Sequence, residues 1–175
     1  RDVFMREVMI MCRLVWIEKP DVIQVELLKK YFEDQQRLND DGTGFAGFSR
    51  GELILKKKVN YLVADLVHDI ISRDWDTGVL IHFRKATAGE INDRNCHPFE
   101  TERFVFAHNG VINKDIYRFL SALFGKDKGK RTDSELIIRL LETQDKETVE
   151  LLKALVELRE GNFILFEKST EDLYI

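Results

Sequence analysis

Ala107-His108-Asn109-Gly110-Val111-Ile112 is an apolar run interrupted by an Asn-Gly pair, and it stands between two other informative stretches. Arg84 and Thr87 lie upstream; Thr132-Asp133-Ser134-Glu135 lies downstream. Each piece has an ordinary structural explanation. Asn-Gly makes tight turns, a strand arginine makes surface ion pairs, and an aspartate near a helix start makes an N-cap. Their joint occurrence in this order reads instead as a pocket that holds one α-amino acid and cleaves its side-chain amide.

The run before Asn109, residues 103–108, has the apolar and aromatic content of a strand, as does 78–83. A polar loop containing Asn95-Cys96-His97-Pro98-Phe99 joins them. Further upstream, 13–17 reads as a strand. Pro20-Asp21 then opens a helix with Val22, Val25, Leu28 and Phe32 at helical spacing, ending near Leu38. Asn39-Asp40-Asp41-Gly42-Thr43-Gly44 is a turn cluster, and 45–48 with 52–57 form a hairpin around Arg50-Gly51. Residues 61–73 predict a second helix. Downstream, helices are expected at 114–124, 133–142 and 146–160, and a closing hairpin at 163–167 with 172–175. The order is mixed α and β with antiparallel hairpins rather than a repeating βαβ pattern, which makes the class α+β.

The composition is that of a globular domain: 175 residues, 44% hydrophobic, 33% charged, long enough to bury a core. A net charge of −4 leaves no electrostatic footprint for nucleic acid. The short basic clusters Lys56-Lys57-Lys58 and 126–131 read as solvated strand-end or loop charge. No stretch approaches the ~20 apolar residues that span a bilayer, and residues 8–12 are too short and interrupted for a secretory signal. A cytoplasmic location is therefore expected, with Cys12 and Cys96 as free thiols. Neither cysteines nor histidines have ligand-type spacing, so no metal or cofactor is expected.

Three motifs taken together, His82-Phe83-Arg84-Lys85-Ala86-Thr87-Ala88-Gly89, Asn95-Cys96-His97-Pro98-Phe99 and Ala107-His108-Asn109-Gly110-Val111-Ile112, resemble the class II glutamine amidotransferases. These are N-terminal-nucleophile (Ntn) hydrolases. Met11-Cys12-Arg13-Leu14 is similar to the start of short stand-alone bacterial members, and Asp40-Asp41-Gly42-Thr43-Gly44 and Thr132-Asp133-Ser134-Glu135 match in position and order. The resemblance runs from Met11 to the end of the chain. It implies a four-layer αββα sandwich of two antiparallel sheets, and it divides the chain into a glutaminase domain, 12–175, and an extension or propeptide, 1–11. It also implies a sandwich shortened at the C-terminus, since relatives continue through further strands beyond the position of Ile175. Such a sandwich leaves a sheet edge open or covered by a partner.

The resemblance also implies roles. Cys12 would be the nucleophile, with its own α-amine, which titrates near ~8, as base. Asn109, by its side-chain amide, and Gly110, by its backbone N–H, would bind the oxyanion; glycine allows the close approach. Arg84 would grip the glutamine α-carboxylate with its planar fork, which Lys85 could not reproduce. Thr87 would add a contact to that carboxylate, and Asp133 would hold the α-ammonium group while also being able to cap its helix. Asn95, His97 and His108 would shape the pocket wall. Substrates would be glutamine or a γ-glutamyl amide, with any ammonia acceptor a separate protein.

Alternatives stay open at this point. Cys12 could be a buried core residue, or act as a papain-like nucleophile with His82, His97 or His108 as base, although none has a cysteine-protease context. Eleven residues precede Cys12. While they remain, its nitrogen is an amide and the usual base is missing, so the chain could be a non-catalytic amino-acid-binding module. The oligomeric state is not legible.

Overall fold

Strand periodicity accounts for the architecture. In a computed structural model, which describes residues 12–124, 130–143, 162–170 and 172–174, the first sheet contains β1 (Arg13–Glu18), β2 (Thr43–Ser49), β3 (Glu52–Lys58) and β4 (Gly78–Phe83). Its order is β1-β4-β2-β3, antiparallel throughout. The second sheet contains β5 (Phe99–Glu100), β6 (Phe104–Asn109), β7 (Asn162–Glu167) and β8 (Asp172–Tyr174) in the order β5-β6-β7-β8, also antiparallel.

Because successive side chains on a strand point to opposite faces, each strand feeds two cores. Leu14, Trp16, Ala46, Phe48, Leu80, Val105, Ala107, Ile164 and Phe166 meet between the sheets, where Phe48 stacks on Phe166 at 4.8 Å. The alternate residues Ile17, Phe45, Val79, Ile81 and Phe83 turn outward onto α1 (Val22–Leu38) and α2 (Val63–Ile71). On the other side, Phe104, Phe106 and Leu165 turn outward onto α3 (Lys114–Phe124) and α4 (Asp133–Glu142). Three apolar interfaces thus define four layers, α/β/β/α. A one-residue slip in any central strand would move polar or small side chains into both cores at once.

Local chemistry sets the helix starts. Asp21 caps α1 by accepting the Gln24 N–H at 2.7 Å. At α4 the cap is Thr132, whose hydroxyl accepts from Glu135 N at 3.1 Å.

Gly44 marks the closest approach of the loop 95–98 to the first sheet. A Cβ there would lie 2.2 Å from His97 O and 2.6 Å from Lys57 Cβ. Backbone cannot yield as a side-chain tip can, so Gly44→Ala is expected to destabilise the protein by about 3 kcal/mol. That corresponds to a Tm lower by roughly 6–12 °C for a chain of this size. An unchanged Tm in a thermal melt would show that the approach is looser than this.

Several sequence expectations shift. The helix expected over 61–73 is shorter, Val63–Ile71. The hairpin strands are longer than expected, and the polar loop holds a 3-10 turn at Asp93–Asn95 and the two-residue strand β5. Lys57 is not a solvated strand-end charge. It donates to Cys96 O at 2.8 Å and Arg94 O at 3.1 Å, and lies 4.3 Å from the Phe99 ring centroid. Burial pushes its ammonium down to about 8. The expected helix 146–160, the extension 1–11 and most of the basic cluster 126–131 lie outside the described residues.

Candidate active site

Register brings the first two candidates together. Arg13 pairs with Phe83, so Cys12 and Arg84 fall side by side one step beyond the end of the β1·β4 ladder. Cys12 is in phase with Leu14 and Trp16, and Arg84 with Leu80 and His82. Asn109 ends β6 in phase with Val105 and Ala107, which belong to the layer between the sheets, and β1 lies against β6. Gly110 follows Asn109 at the bend, half-buried.

The Cys12 thiol sits in a backbone cradle. Its Sγ donates to Lys85 O and accepts from Lys85 N–H, both at 3.1 Å. Burial raises the thiol pKa, opposed by the Lys85 hydrogen bond and the Arg84 charge and reinforced by Asp133. The thiol is therefore neutral at rest and needs a base before it can attack.

Arg84 is 2% exposed. Its Nη2 donates to Ala88 O at 2.9 Å and its Nη1 to Glu90 O at 3.2 Å. Among the described residues no carboxylate forms an ion pair with it, which is unusual for a buried guanidinium. Carbonyls orient the fork without neutralising it, so its charge is left for an anion.

Asp133 is 5% exposed. Its Oδ2 accepts from Ile112 N at 3.1 Å, and its Oδ1 from Ser134 N at 2.9 Å and Ser134 Oγ at 3.4 Å. Thr132 supplies the side-chain cap of α4, and Asp133 also accepts a first-turn N–H of that helix, from Ser134.

Asn95 does more than line a wall. Its Nδ2 donates to Glu90 O at 2.9 Å and to Lys130 O at 2.7 Å. Glu90 O is also a partner of Arg84, and Lys130 leads into Thr132-Asp133, so Asn95 ties the loop carrying one charged candidate to the segment carrying the other. Gly89, at φ +73°, permits this contact, since a Cβ would meet Arg131 C at 2.9 Å and Thr132 N at 3.0 Å. Thr87 sits in the same loop and is exposed.

His82, His97 and His108 are buried. The His82 and His97 rings lie 4.1 Å apart, and neither has a hydrogen-bonded ring nitrogen among the described residues. Complete burial pushes His82 down to about 3, and burial together with the neighbouring charges of His82, His108, Lys57 and Arg84 holds His97 well below the usual range. His108, whose Nδ1 lies 3.3 Å from Ser134 Oγ, is also lowered by burial, with Asp133 opposing. No hydrogen bond joins any of them to Cys12 among the described residues, so the papain-like arrangement has no geometric support.

These imidazoles make stability sensitive to acid. Their folded pKa values lie below the ~6.5 of an unfolded histidine. The unfolded chain therefore binds more protons below that pH. The stabilisation from keeping them neutral is complete above about pH 6.5 and is lost as pH falls below it, for His82 down to about 3, at up to roughly 1.4 kcal/mol per pH unit for each ring that stays neutral in the fold. Urea midpoints should drop clearly from pH 7 to pH 5; equal midpoints would contradict this burial.

Among the described residues no group of three or more His, Cys, Asp or Glu side chains could hold a metal ion. No described helix is long and apolar enough to cross a membrane.

The family model for glutamine amidotransferases class-II matches residues 11–169. The chain belongs to this family. The glutamine–fructose-6-phosphate aminotransferase (isomerizing) of Listeria monocytogenes is 31% identical over 153 residues, covering 81% of this chain and 25% of that protein. The enzyme of the same name from Tropheryma whipplei (strain Twist) is 40% identical over 80 residues, 44% of this chain and 13% of that protein. The chain thus spans a quarter or less of these relatives. Among solved structures, the glutamine phosphoribosylpyrophosphate amidotransferase from B. subtilis superimposes with a TM-score of 0.59 at 16% identity, over 90% of this chain and 35% of that one. A structure described as the allosteric regulatory enzyme of purine biosynthesis gives 0.62 at 17%, over 89% and 36%. These similarities confirm the two-sheet amidotransferase sandwich.

Proposed function

We propose that this domain hydrolyses the side-chain amide of glutamine, or of a related γ-glutamyl amide, through a γ-glutamyl thioester on Cys12. The observation that carries the reading is a pair of buried, opposite charges, Arg84 in register with Cys12 and Asp133 at the start of α4. Among the described residues Arg84 has no carboxylate partner, and the Asp133 carboxylate accepts from neutral donors. An α-amino acid bears one charge of each sign on adjacent groups, and it satisfies both. With its backbone so fixed, the side-chain amide carbon is presented to Cys12 Sγ.

In this mechanism the Cys12 α-amine accepts the thiol proton as sulfur attacks. The carbonyl oxygen becomes an oxyanion, to which the Asn109 side-chain amide and the Gly110 N–H donate. Collapse of the tetrahedral intermediate breaks the C–N bond as the protonated amine returns its proton, so ammonia leaves. Water then hydrolyses the thioester to glutamate and regenerates the thiol. Thr87, on the Arg84 loop, adds its hydroxyl or backbone N–H to the α-carboxylate. Ammonia passes to an acceptor protein or domain.

This chemistry requires a free amine on Cys12, so residues 1–11 must be removed, by self-processing or by initiation at Met11. A chain that keeps them would bind glutamine without turning it over. Calorimetry with glutamine tests the pocket in either form. Arg84→Lys is expected to weaken binding about 100-fold, because a point charge cannot replace the bidentate fork. Equal affinity in the variant would mean that the ligand lies elsewhere.

A further inference from the structure

One buried polar contact is not used by this mechanism. His108 Nδ1 lies 3.3 Å from Ser134 Oγ, and Ser134 Oγ lies 3.4 Å from Asp133 Oδ1. All three residues are buried, between β6 and the first turn of α4. A carboxylate only accepts hydrogen bonds, so the serine hydroxyl donates to Asp133. The hydroxyl oxygen then accepts from His108, which fixes the imidazole as its Nδ1–H tautomer.

Helix capping does not explain the serine hydroxyl, because Thr132 supplies the cap. Packing does not explain it either. An alanine would fill the space of the Ser134 side chain apart from one oxygen, without a buried polar group to satisfy. The ring of His108 is braced by Phe106, with centroids 6.2 Å apart at 17°, so the far end of the chain is anchored in the strand that also carries Asn109.

Resting on the reading of Asp133 as the ammonium-binding carboxylate, we propose that His108 and Ser134 are positioning residues. They form a relay that locks the rotation of the Asp133 carboxylate and thereby sets the selectivity of the site for ligands bearing an α-amino group. The Ile112 N–H holds Oδ2 and the Ser134 N–H and hydroxyl hold Oδ1. Both oxygens are thus pinned, and the relay resists the swing of Oδ1 that an approaching ammonium would otherwise induce. Its ligand class is therefore an α-amino acid, as opposed to the corresponding simple carboxylic acid amide.

The test compares glutamine with 4-carbamoylbutanoate, which is glutamine without its α-amino group, by calorimetry on the whole chain. Ser134→Ala is expected to weaken glutamine about 10-fold, the scale of one lost hydrogen bond to a charged group, while leaving the des-amino ligand within about 2-fold. His108→Leu should show the same selective loss, and His108→Asn, which restores an N–H near the Nδ1 position, should recover most of it. Equal weakening of both ligands, or of neither, by Ser134→Ala overturns the relay. If Ser134→Ala fails to fold, the His108→Leu and His108→Asn pair decides alone. Asp133→Asn separates this failure from that of the parent reading. If this variant discriminates between the ligands as the unaltered protein does, the assignment of Asp133 falls and the relay falls with it. If Asp133→Asn abolishes discrimination while Ser134→Ala preserves it, only the relay is wrong.

Discussion

Cys12→Ala is expected to abolish glutamine hydrolysis while leaving glutamine binding nearly intact. Among the described residues the other thiol, Cys96, is buried against the turn at Gly42, and only Cys12 Sγ is hydrogen-bonded in the Lys85 cradle. Removing an essential nucleophile in a comparable hydrolase lowers kcat by about 10⁶, so turnover falls to the solution background. In the proposed mechanism the binding contacts come from Arg84 and Asp133, neither of which is hydrogen-bonded to the sulfur among the described residues, so a calorimetric titration of the variant is expected to retain its signal. The same experiment on a chain beginning at Cys12, with its amine acetylated, should reproduce the loss. Ammonia release by the alanine variant at the parent rate would remove Cys12 from the mechanism.

The second large effect is expected at Asn109. Its side-chain Oδ1 is buried without a partner among the described residues, and its position at the end of β6 is set by pairing with Asn162. Asn109→Ala removes an oxyanion donor without touching the ion-pairing groups, and the cost is about 10² to 10³ in kcat. Because the oxyanion exists only in the transition state, KM for glutamine should stay within about 3-fold while kcat falls. Asn109→Asp should be at least as poor, since it places an acceptor where a donor is needed. A variant whose KM rises with kcat unchanged would assign Asn109 to ground-state binding instead.

The parts of the fold legible in the sequence were those governed by local periodicity. The apolar runs 13–17 and 78–83, and the helical spacing of Val22, Val25, Leu28 and Phe32, reappear as β1, β4 and α1. The two-sheet sandwich itself came from the family resemblance, because periodicity says that a strand has two faces but not which sheet receives each. Lys57 shows the limit well. Its partners are carbonyls 37 and 39 residues away, and nothing near it distinguishes it from solvated Lys56 or Lys58. Asn95 is similar, since its bonds to Glu90 and Lys130 arise only when two loops close on it. The hydroxyl of Ser134 meets the ring of His108, 26 residues away, only in the folded chain. Arg84 and Asp133 were singled out by their place in the motifs that carry the family resemblance.

The candidate site is divided between the two halves of the sandwich. Cys12 and Arg84 extend from the first sheet, while Asn109 and Asp133 belong to the second sheet and the helix resting on it. The surface joining these halves is apolar and non-directional, so it holds the sheets together without dictating how far one has slid along the other. One amino acid clasped at its carboxylate from one side and at its ammonium from the other acts as a removable rivet at the end of that seam. Catalytic alignment and cohesion of the two halves are then one thermodynamic quantity. At ligand concentrations 100-fold above Kd, occupancy stabilises the folded state by about 2.7 kcal/mol, and any substitution that loosens the seam weakens the site by the same coupling.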